Sequence, residues 1–267
     1  MSTTMPKGKS AAQVASAAVS TSATVKKPES SQSADRVLRL LVYLASAGKP
    51  VGVTAAAEYL GISVAATHRL AQSLVAIDFA QQDSSRRYKV GPGALVLAQR
   101  FLASWDVRAR YRPLLERVEH LSNETTCLIA AAGLQRVCVD YVVSSQPIAY
   151  LPTVGQTFPL ATGAVGRALL SDRPAEERER YVSQLFNVGH ERREWETKFT
   201  SGQAVGYYVA ESELIKDMNG FAFPLKDSNG RVIAALSVTG PAYRLPIARL
   251  NELAGLVSPI VQEFIGL

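Results

Sequence analysis

Across 267 residues the chain has two cysteines, Cys127 and Cys138, and three histidines, His68, His120 and His190. Two cysteines are too few for a disulfide framework. The histidines are scattered and none stands at ligand spacing from a cysteine, so no metal is expected. No apolar run approaches the roughly 20 residues that cross a bilayer, and the first residues lack the apolar core of a secretory signal. The expectation is a cytoplasmic protein with reduced thiols and no membrane partner. There is no P-loop, no G-x-G-x-x-G fingerprint and no G-x-S-x-G elbow. The carboxylates Glu176, Glu177 and Glu179 sit in a charge run that reads as a solvated helix face. An enzyme is therefore the weaker hypothesis, and no cofactor is expected. Acids are outnumbered, 23 against 29 Lys and Arg, for a net charge of +6. That balance favours a polyanionic partner without deciding for one.

Large apolar residues are nearly missing from Met1 to Gln32. Such a segment cannot offset its ordering entropy by burial and is expected to be a disordered tail, its lysines (Lys7, Lys9, Lys26, Lys27) serving solubility before DNA. Order is expected from Ser33. Asp35 can cap a helix whose Val37, Leu40, Leu41 and Leu44 form one apolar stripe, closed by Gly48, Lys49 and Pro50.

The stretch Val53–Gln72 (VTAAAEYLGISVAATHRLAQ) then reads as two short helices around a turn at Gly61–Ile62–Ser63. Glycine accepts positive φ at the turn, and Ser63 stands where an N-cap belongs. In the second helix Ala66, Leu70, Leu74 and Ile77 recur at helical spacing and should face inward. Ala65, His68, Arg69 and Gln72 then face outward together with Ser63. A short helix with small residues at its start and polar ones outside suits a DNA major groove; the plainer alternative is a helical hairpin in an all-α core. Next come Phe79–Gln82, the turn Asp83–Ser84–Ser85, and Arg86–Val90, a β-hairpin. Behind a helix-turn-helix it reads as a wing, with Arg86, Arg87 and Lys89 suited to phosphates or a minor groove. Arg69 and Gln72, with His68 besides, are the candidates for base edges. Ser63, Thr67 and the wing cations are the candidates for phosphate or minor groove.

After Gly91–Pro92–Gly93 a helix is expected over Ala94–Ala103, then an amphipathic one carrying Leu114, Leu115, Val118 and Leu121. The period then becomes strand-like. Thr125–Ala130 and Arg136–Val142 read as strands around Ala132–Gly133, which would set Cys127 opposite Cys138 as small core residues. A short strand is expected at Ile148–Leu151. Gly155–Leu170 is a small-residue loop entering a helix, where backbone N–H groups can meet a carboxylate; close helix packing would demand the same small residues. Charged helices (Pro174–Phe186, Glu191–Thr200) and strands (Gly206–Ala210, Gly220–Leu225, Val232–Thr239) follow, with an Asn229–Gly230 hairpin signal. A last helix, Pro246 to about Phe264, has Leu250, Leu253, Leu256, Val257 and Ile260 on one face. The fold class is α+β, with an antiparallel sheet and helices packed on it.

Three stretches carry a resemblance: Asp35–Ala45 (DRVLRLLVYLA); Thr54–Ser63 (TAAAEYLGIS) with Thr67–Leu70; and Arg87–Ala98 (RYKVGPGALVLA). Three more are stranger and therefore more specific: Val154–Ser171 (VGQTFPLATGAVGRALLS), Gly206–Glu213 (GYYVAESE), and Ala222–Pro241 (AFPLKDSNGRVIAALSVTGP) with Arg244 just after. Together they resemble the IclR-type (isocitrate lyase regulator type) family of bacterial transcription factors. The resemblance implies a winged helix-turn-helix at 33–91, a dimerising linker helix at 92–104, and a GAF-like effector-binding and oligomerisation domain at 105–267. It implies a dimer or tetramer on a palindromic operator of double-stranded DNA, repressing or activating transcription under a small organic effector, often an aromatic or short organic acid. It places the effector against Leu160, Ala161, Thr162, Gly163, Ala164 and Gly166, against Ala210 and Glu211, and against Gly220, Ala222, Leu236 and Val238. The family often has polar residues where this chain has Ala161, Gly163 and Ala210, and small-acid binders carry a cysteine at the position of Gly220. These departures predict a roomier, more apolar cavity for an aromatic or hydrophobic effector.

Overall fold

The computed structural model describes residues 31–104, 106–186 and 189–265. The expected tail therefore lies outside the described residues apart from Ser31 and Gln32. Contacts divide the chain into two compact units, one ending at Asp106 and one beginning at Val107.

In the first unit α1 (Gln32–Ser46) opens three residues before Asp35, which sits in its first turn rather than at its cap. Leu40 and Leu44 are buried, with Val37 and Leu41 packed beside them. α2 (Val53–Leu60) ends on Gly61, whose φ of 68° and ψ of 34° are left-handed. Ile62 then returns its N–H to the Ala57 carbonyl at 3.2 Å, closing the sharp turn that glycine makes possible. α3 (Val64–Ala76) starts at Ser63, whose Oγ accepts the Ala66 N–H at 3.2 Å. Its inward face is Thr67, Ala71 and Leu74. Ile77, expected inside, is 62% exposed: the helix stops at Ala76, and Ile77 falls out of helical phase.

The strands β1 (Ala80–Gln82) and β2 (Tyr88–Val90) pair antiparallel. Val51 pairs with Tyr88 on the other side, through two bonds of 2.7 Å. Asp83 organises the turn, its Oδ1 accepting the N–H groups of Ser85 and Arg87 at 2.9 Å each. A Cβ on Gly91 would lie 2.2 Å from the Asp78 carbonyl oxygen, so the chain leaves the hairpin through a gap only glycine fits. α4 (Gly93–Ser104) follows and exposes Leu95, Val96 and Leu97.

The second unit runs α5 (Val107–Ser122), β3 (Thr125–Ala132), β4 (Gln135–Val142), β5 (Thr157–Pro159), α6 (Gly163–Leu169), α7 (Ala175–Leu185), α8 (His190–Val205), β6 (Tyr208–Glu211), β7 (Met218–Lys226), β8 (Val232–Pro241) and α9 (Ile247–Ile265). Its strands form one antiparallel sheet in the order β5-β4-β3-β8-β7-β6. Ala222 and Ala235 turn toward a core shared with α6, α7 and α8, including Trp195, Phe199 and Tyr208. By strand alternation Phe221, Phe223 and Leu236 point to the other face, where α5 and α9 pack. The architecture is α+β.

Several local expectations are corrected. Ile148–Leu151 is irregular, and β5 takes the edge beside β4 instead. Leu121 is 37% and Leu256 50% exposed. The β3–β4 turn falls on Gly133–Leu134, one residue later than expected, and the register shifts between Leu128 and Ile129. Cys127 therefore faces Tyr141, and Cys138 faces Ile129. Both thiols are free and buried, and Cys138 Sγ donates to the Asp140 carbonyl at 3.8 Å.

Candidate functional site

Ser63, Ala65, His68, Arg69 and Gln72 are exposed along one side of α3, and the wing adds exposed Arg86, Arg87 and Lys89. Two contacts fix the wing against the helix. Gln72 Nε2 donates to Tyr88 Oη at 3.2 Å, and the His68 ring meets Tyr88 edge-on, centroids 6.4 Å apart. Arg69, Arg86 and Lys89 have no ion pair among the described residues, whereas Arg87 Nε lies 3.0 Å from Asp83 Oδ2. The hydrogen bond from the Arg87 backbone N–H, reinforced by its guanidinium, holds the Asp83 carboxyl below its ordinary value. Thr67 differs from the expectation. It is fully buried, and its hydroxyl donates to the Ser63 carbonyl at 3.1 Å, because position 67 follows Ser63 by one helical turn and shares the inward face with Ala71.

In the second unit a cavity of about 80 Å³ lies between the sheet and the start of α6. Gly163 and Ala164 of α6, Ala210 of β6, Gly220 of β7 and Val238 of β8 belong to its wall. The rest of the expected set lies elsewhere. Leu160, Ala161 and Ala222 are in the core with α8, where the Ala161 carbonyl accepts the Trp195 indole N–H at 2.6 Å. Gly166 is under Leu160: a Cβ there would lie 2.3 Å from the Leu160 carbonyl oxygen. Glu211 is exposed, and Leu236 faces α5 and α9. Thr162 borders an adjoining cleft. The two explanations for small residues thus divide by position: Gly166 is small for packing, while Gly163 (φ 63°) and Ala164 border open space.

Of the departures from the family pattern, Gly163, Ala210 and Gly220 border the cavity and Ala161 does not. A cavity that takes benzene measures about 150 Å³. The Ala161 side chain is in the core, and a Cβ on Gly220 would lie 2.4 Å from the Val238 carbonyl oxygen, so glycine there lets β7 and β8 approach.

The wall also holds residues that the sequence did not assign to it. Cys127, Ile129, Arg136 and Cys138 come from β3 and β4, Phe158 from β5, and Ser237 and Thr239 from β8. Tyr150 adds a hydroxyl pushed up to about 12 by burial, a neutral hydrogen-bonding group. The neighbouring Cys138 thiol, then burial, holds the Cys127 thiol well above its ordinary value. Glu213, Leu214 and Ile215 close one side. Their segment begins at Ser212 (φ 50°) and ends at Asp217 (φ 61°), both left-handed. Glu213 anchors it, meeting Arg167 Nη1 at 2.9 Å, Arg167 Nη2 at 3.0 Å and Lys198 Nζ at 2.9 Å.

Residues 99–264 match the family model for the bacterial transcriptional regulator IclR C-terminal domain, and residues 33–84 that for the IclR helix-turn-helix domain. The chain belongs to the IclR family. It is 27% identical to the HTH-type transcriptional repressor AllR of Klebsiella pneumoniae, over 85% of this chain and 86% of that protein. It is 26% identical to AllR of Escherichia coli K12, over 87% and 88%. Its fold matches an IclR-family transcriptional regulator from Brucella abortus with a TM-score of 0.76 at 22% identity, covering 90% and 93%. It also matches HmgR of Pseudomonas aeruginosa with a TM-score of 0.61 at 25% identity, covering 85% and 99%. The chain is a transcriptional regulator with a helix-turn-helix and a C-terminal effector domain. No described helix is long and apolar enough to cross a membrane.

For this IclR-family regulator, one signal could have found more of the cavity wall. Strand alternation puts Cys127 with Ile129, and Arg136 with Cys138, on one face. An arginine on the covered face of a strand is the anomaly in that pattern.

Proposed function

We propose that this regulator binds a palindromic operator as a homo-oligomer and represses transcription, and that a small organic effector in the second unit's cavity shifts its binding. The observation that carries the DNA reading is the exposed side of α3 braced to a cationic wing through Gln72 and Tyr88. The helix is the element for the major groove, with Arg69, Gln72 and His68 at base edges; Ser63, Arg86, Arg87 and Lys89 take phosphate or minor groove. Thr67 drops out of that set because its hydroxyl is spent inside. The exposed Leu95, Val96 and Leu97 of α4 support pairing of two chains along a linker helix, which would set two recognition helices one DNA turn, or a multiple, apart. Repression is proposed from the named function of the AllR relatives.

The mainly apolar wall of Ile129, Phe158, Val165 and Ile215 favours an effector with a hydrophobic body. An aromatic body fits only if the Ser212–Asp217 segment yields. An effector that prefers one arrangement of the effector units shifts operator binding by no more than its differential affinity. Nuclease footprinting on the chain's own promoter region tests the whole reading. The expected result is two symmetric protected half-sites whose occupancy changes with an effector. Protection of one asymmetric patch would remove the palindrome, and absence of protection would remove the DNA reading.

A further inference from the structure

Tyr88 is where the wing meets α3. Its backbone is held on both sides, paired with Gln82 of β1 and with Val51 through two bonds of 2.7 Å. The residue is 2% exposed and belongs to the core of Leu40, Ala71 and Leu74. Its hydroxyl reaches the outer side of α3, where it accepts a hydrogen bond from Gln72 Nε2 at 3.2 Å. The His68 ring, one helical turn earlier, meets the same tyrosine edge-on. A rigid, buried ring thus ends in one polar atom, and that atom touches a candidate for a base edge.

Gln72 is exposed, and a long amide on a helix surface ordinarily samples several rotamers. Here its head group is held by Tyr88, whereas Arg69 has no ion pair among the described residues. A glutamine amide carries two N–H donors and one carbonyl acceptor. Tyr88 takes one donor, so one donor and the acceptor remain for a base. That pair complements adenine in the major groove, where N7 accepts and the N6 amino group donates. Guanine presents two acceptors there, thymine one acceptor and a methyl group, and cytosine one donor, so none of these satisfies both groups.

We propose that Tyr88 is a positioning residue for sequence recognition: its hydroxyl fixes the Gln72 amide so that α3 reads one adenine in each half-site. This inference rests on the reading of α3 as the major-groove helix. Tyr88 itself touches no base. It removes rotamers of Gln72 before DNA arrives, so ordering that side chain does not weaken binding. A wrong base leaves the amide oxygen or the remaining N–H without a partner at a contact that excludes water. The wing therefore takes part in sequence choice as well as in phosphate contact, because the residue that orients the amide is part of β2.

The test uses the full-length protein and a labelled duplex from the chain's own promoter region, each base pair of the footprinted half-site being replaced in turn. Anisotropy gives the affinity for every duplex of the natural chain, Gln72→Ala, Tyr88→Phe and the double variant. The expected result is one A·T pair per half-site whose replacement weakens the natural chain about ten-fold or more. Gln72→Ala and Tyr88→Phe each cut that factor to about three-fold or less, and the double variant behaves as Gln72→Ala alone. Discrimination at the other pairs and the salt slope stay as in the natural chain. A hydroxyl that served the fold alone would, on removal, lower affinity for all duplexes alike, and that result overturns the proposal. Full discrimination by Tyr88→Phe at the pair that Gln72→Ala relaxes also overturns it, as does a relaxed pair that is G·C, or no relaxed pair. In these cases the natural chain still binds its operator and the DNA reading stands. Should Tyr88→Phe not fold, Gln72→Glu decides. Its carboxylate accepts the Tyr88 O–H and offers acceptors only, so the preference at that pair moves from adenine to cytosine; a preference unchanged or merely lost overturns the proposal. Absence of binding to every duplex by the natural chain removes the DNA reading and the proposal with it.

Discussion

The two units use positive charge in opposite ways. In the first, Arg69, Arg86 and Lys89 stand exposed without a carboxylate partner among the described residues, on one helix and one hairpin. In the second, Arg167 and Arg244 are drawn against Glu213 and Glu124 at 2.7–2.9 Å. A hydrated cation costs nothing to leave unmatched and gains when a polyanion sheds its counter-ions. A buried one must be matched as the chain folds. The same side chain thus stands open to a polyanion on one unit, as the proposed DNA contact requires, and is a fastening on the other.

The largest effect that can break this contrast is expected at Arg244. Arg244→Ala leaves the buried Glu124 carboxylate without its partner and should cost about 3–5 kcal/mol in urea unfolding of the full chain. A loss under about 1 kcal/mol would mean the buried charges are not matched out of necessity. Lys89→Ala, by contrast, should leave unfolding within about 0.5 kcal/mol of the natural chain.

Next comes packing. Gly166→Ala forces a Cβ to within 2.3 Å of the Leu160 carbonyl oxygen, and should cost about 1–3 kcal/mol by overpacking. Equal stability would mean that α6 slides freely over the core and that the small residues serve something else.

On the DNA side, Arg69→Ala should cost about 1–3 kcal/mol of discrimination between operator and scrambled duplex. Lys89→Ala should weaken binding to both duplexes alike and lower the salt slope by about one. Identical behaviour of the two variants would erase the division between helix and wing. The smallest effect is expected at Ser63→Ala, about 1 kcal/mol of stability from the lost cap on α3, read by thermal melting.

How much of each unit could be read beforehand follows from how local its determinants are. Gly61, Ser63 and the apolar positions of α3 act within a few residues, so the helix-turn-helix was visible as a string of letters. The same locality explains the miss at Thr67: one helical turn from Ser63, it lies on the inner face, a fact of angle rather than of residue type. The wing turn was legible because Asp83 bonds only two and four residues ahead.

The cavity was legible in part. Its small-residue segment at Gly163–Ala164 stood out, but Arg136, Tyr150 and Glu213 reach it from β4, an irregular stretch and the β6–β7 connection. No short window contains them together. The β3–β4 register was out of reach for a related reason. One irregularity beside Cys138 resets every later pairing, and nothing in Val137–Asp140 announces it. The small residues at Ala161 and Gly220 serve packing, one in the core and the other under the neighbouring strand, while Gly163 and Ala210 border the cavity.

The account depends most on α3 and the wing forming one surface for duplex DNA. Fluorescence anisotropy of a labelled duplex from the chain's own promoter region, titrated between about 50 and 200 mM salt, tests this directly. The account predicts saturable binding whose logarithm falls linearly with the logarithm of salt, and a scrambled duplex bound at least ten-fold more weakly. Absence of binding, or equal and salt-insensitive affinity for both duplexes, would contradict it.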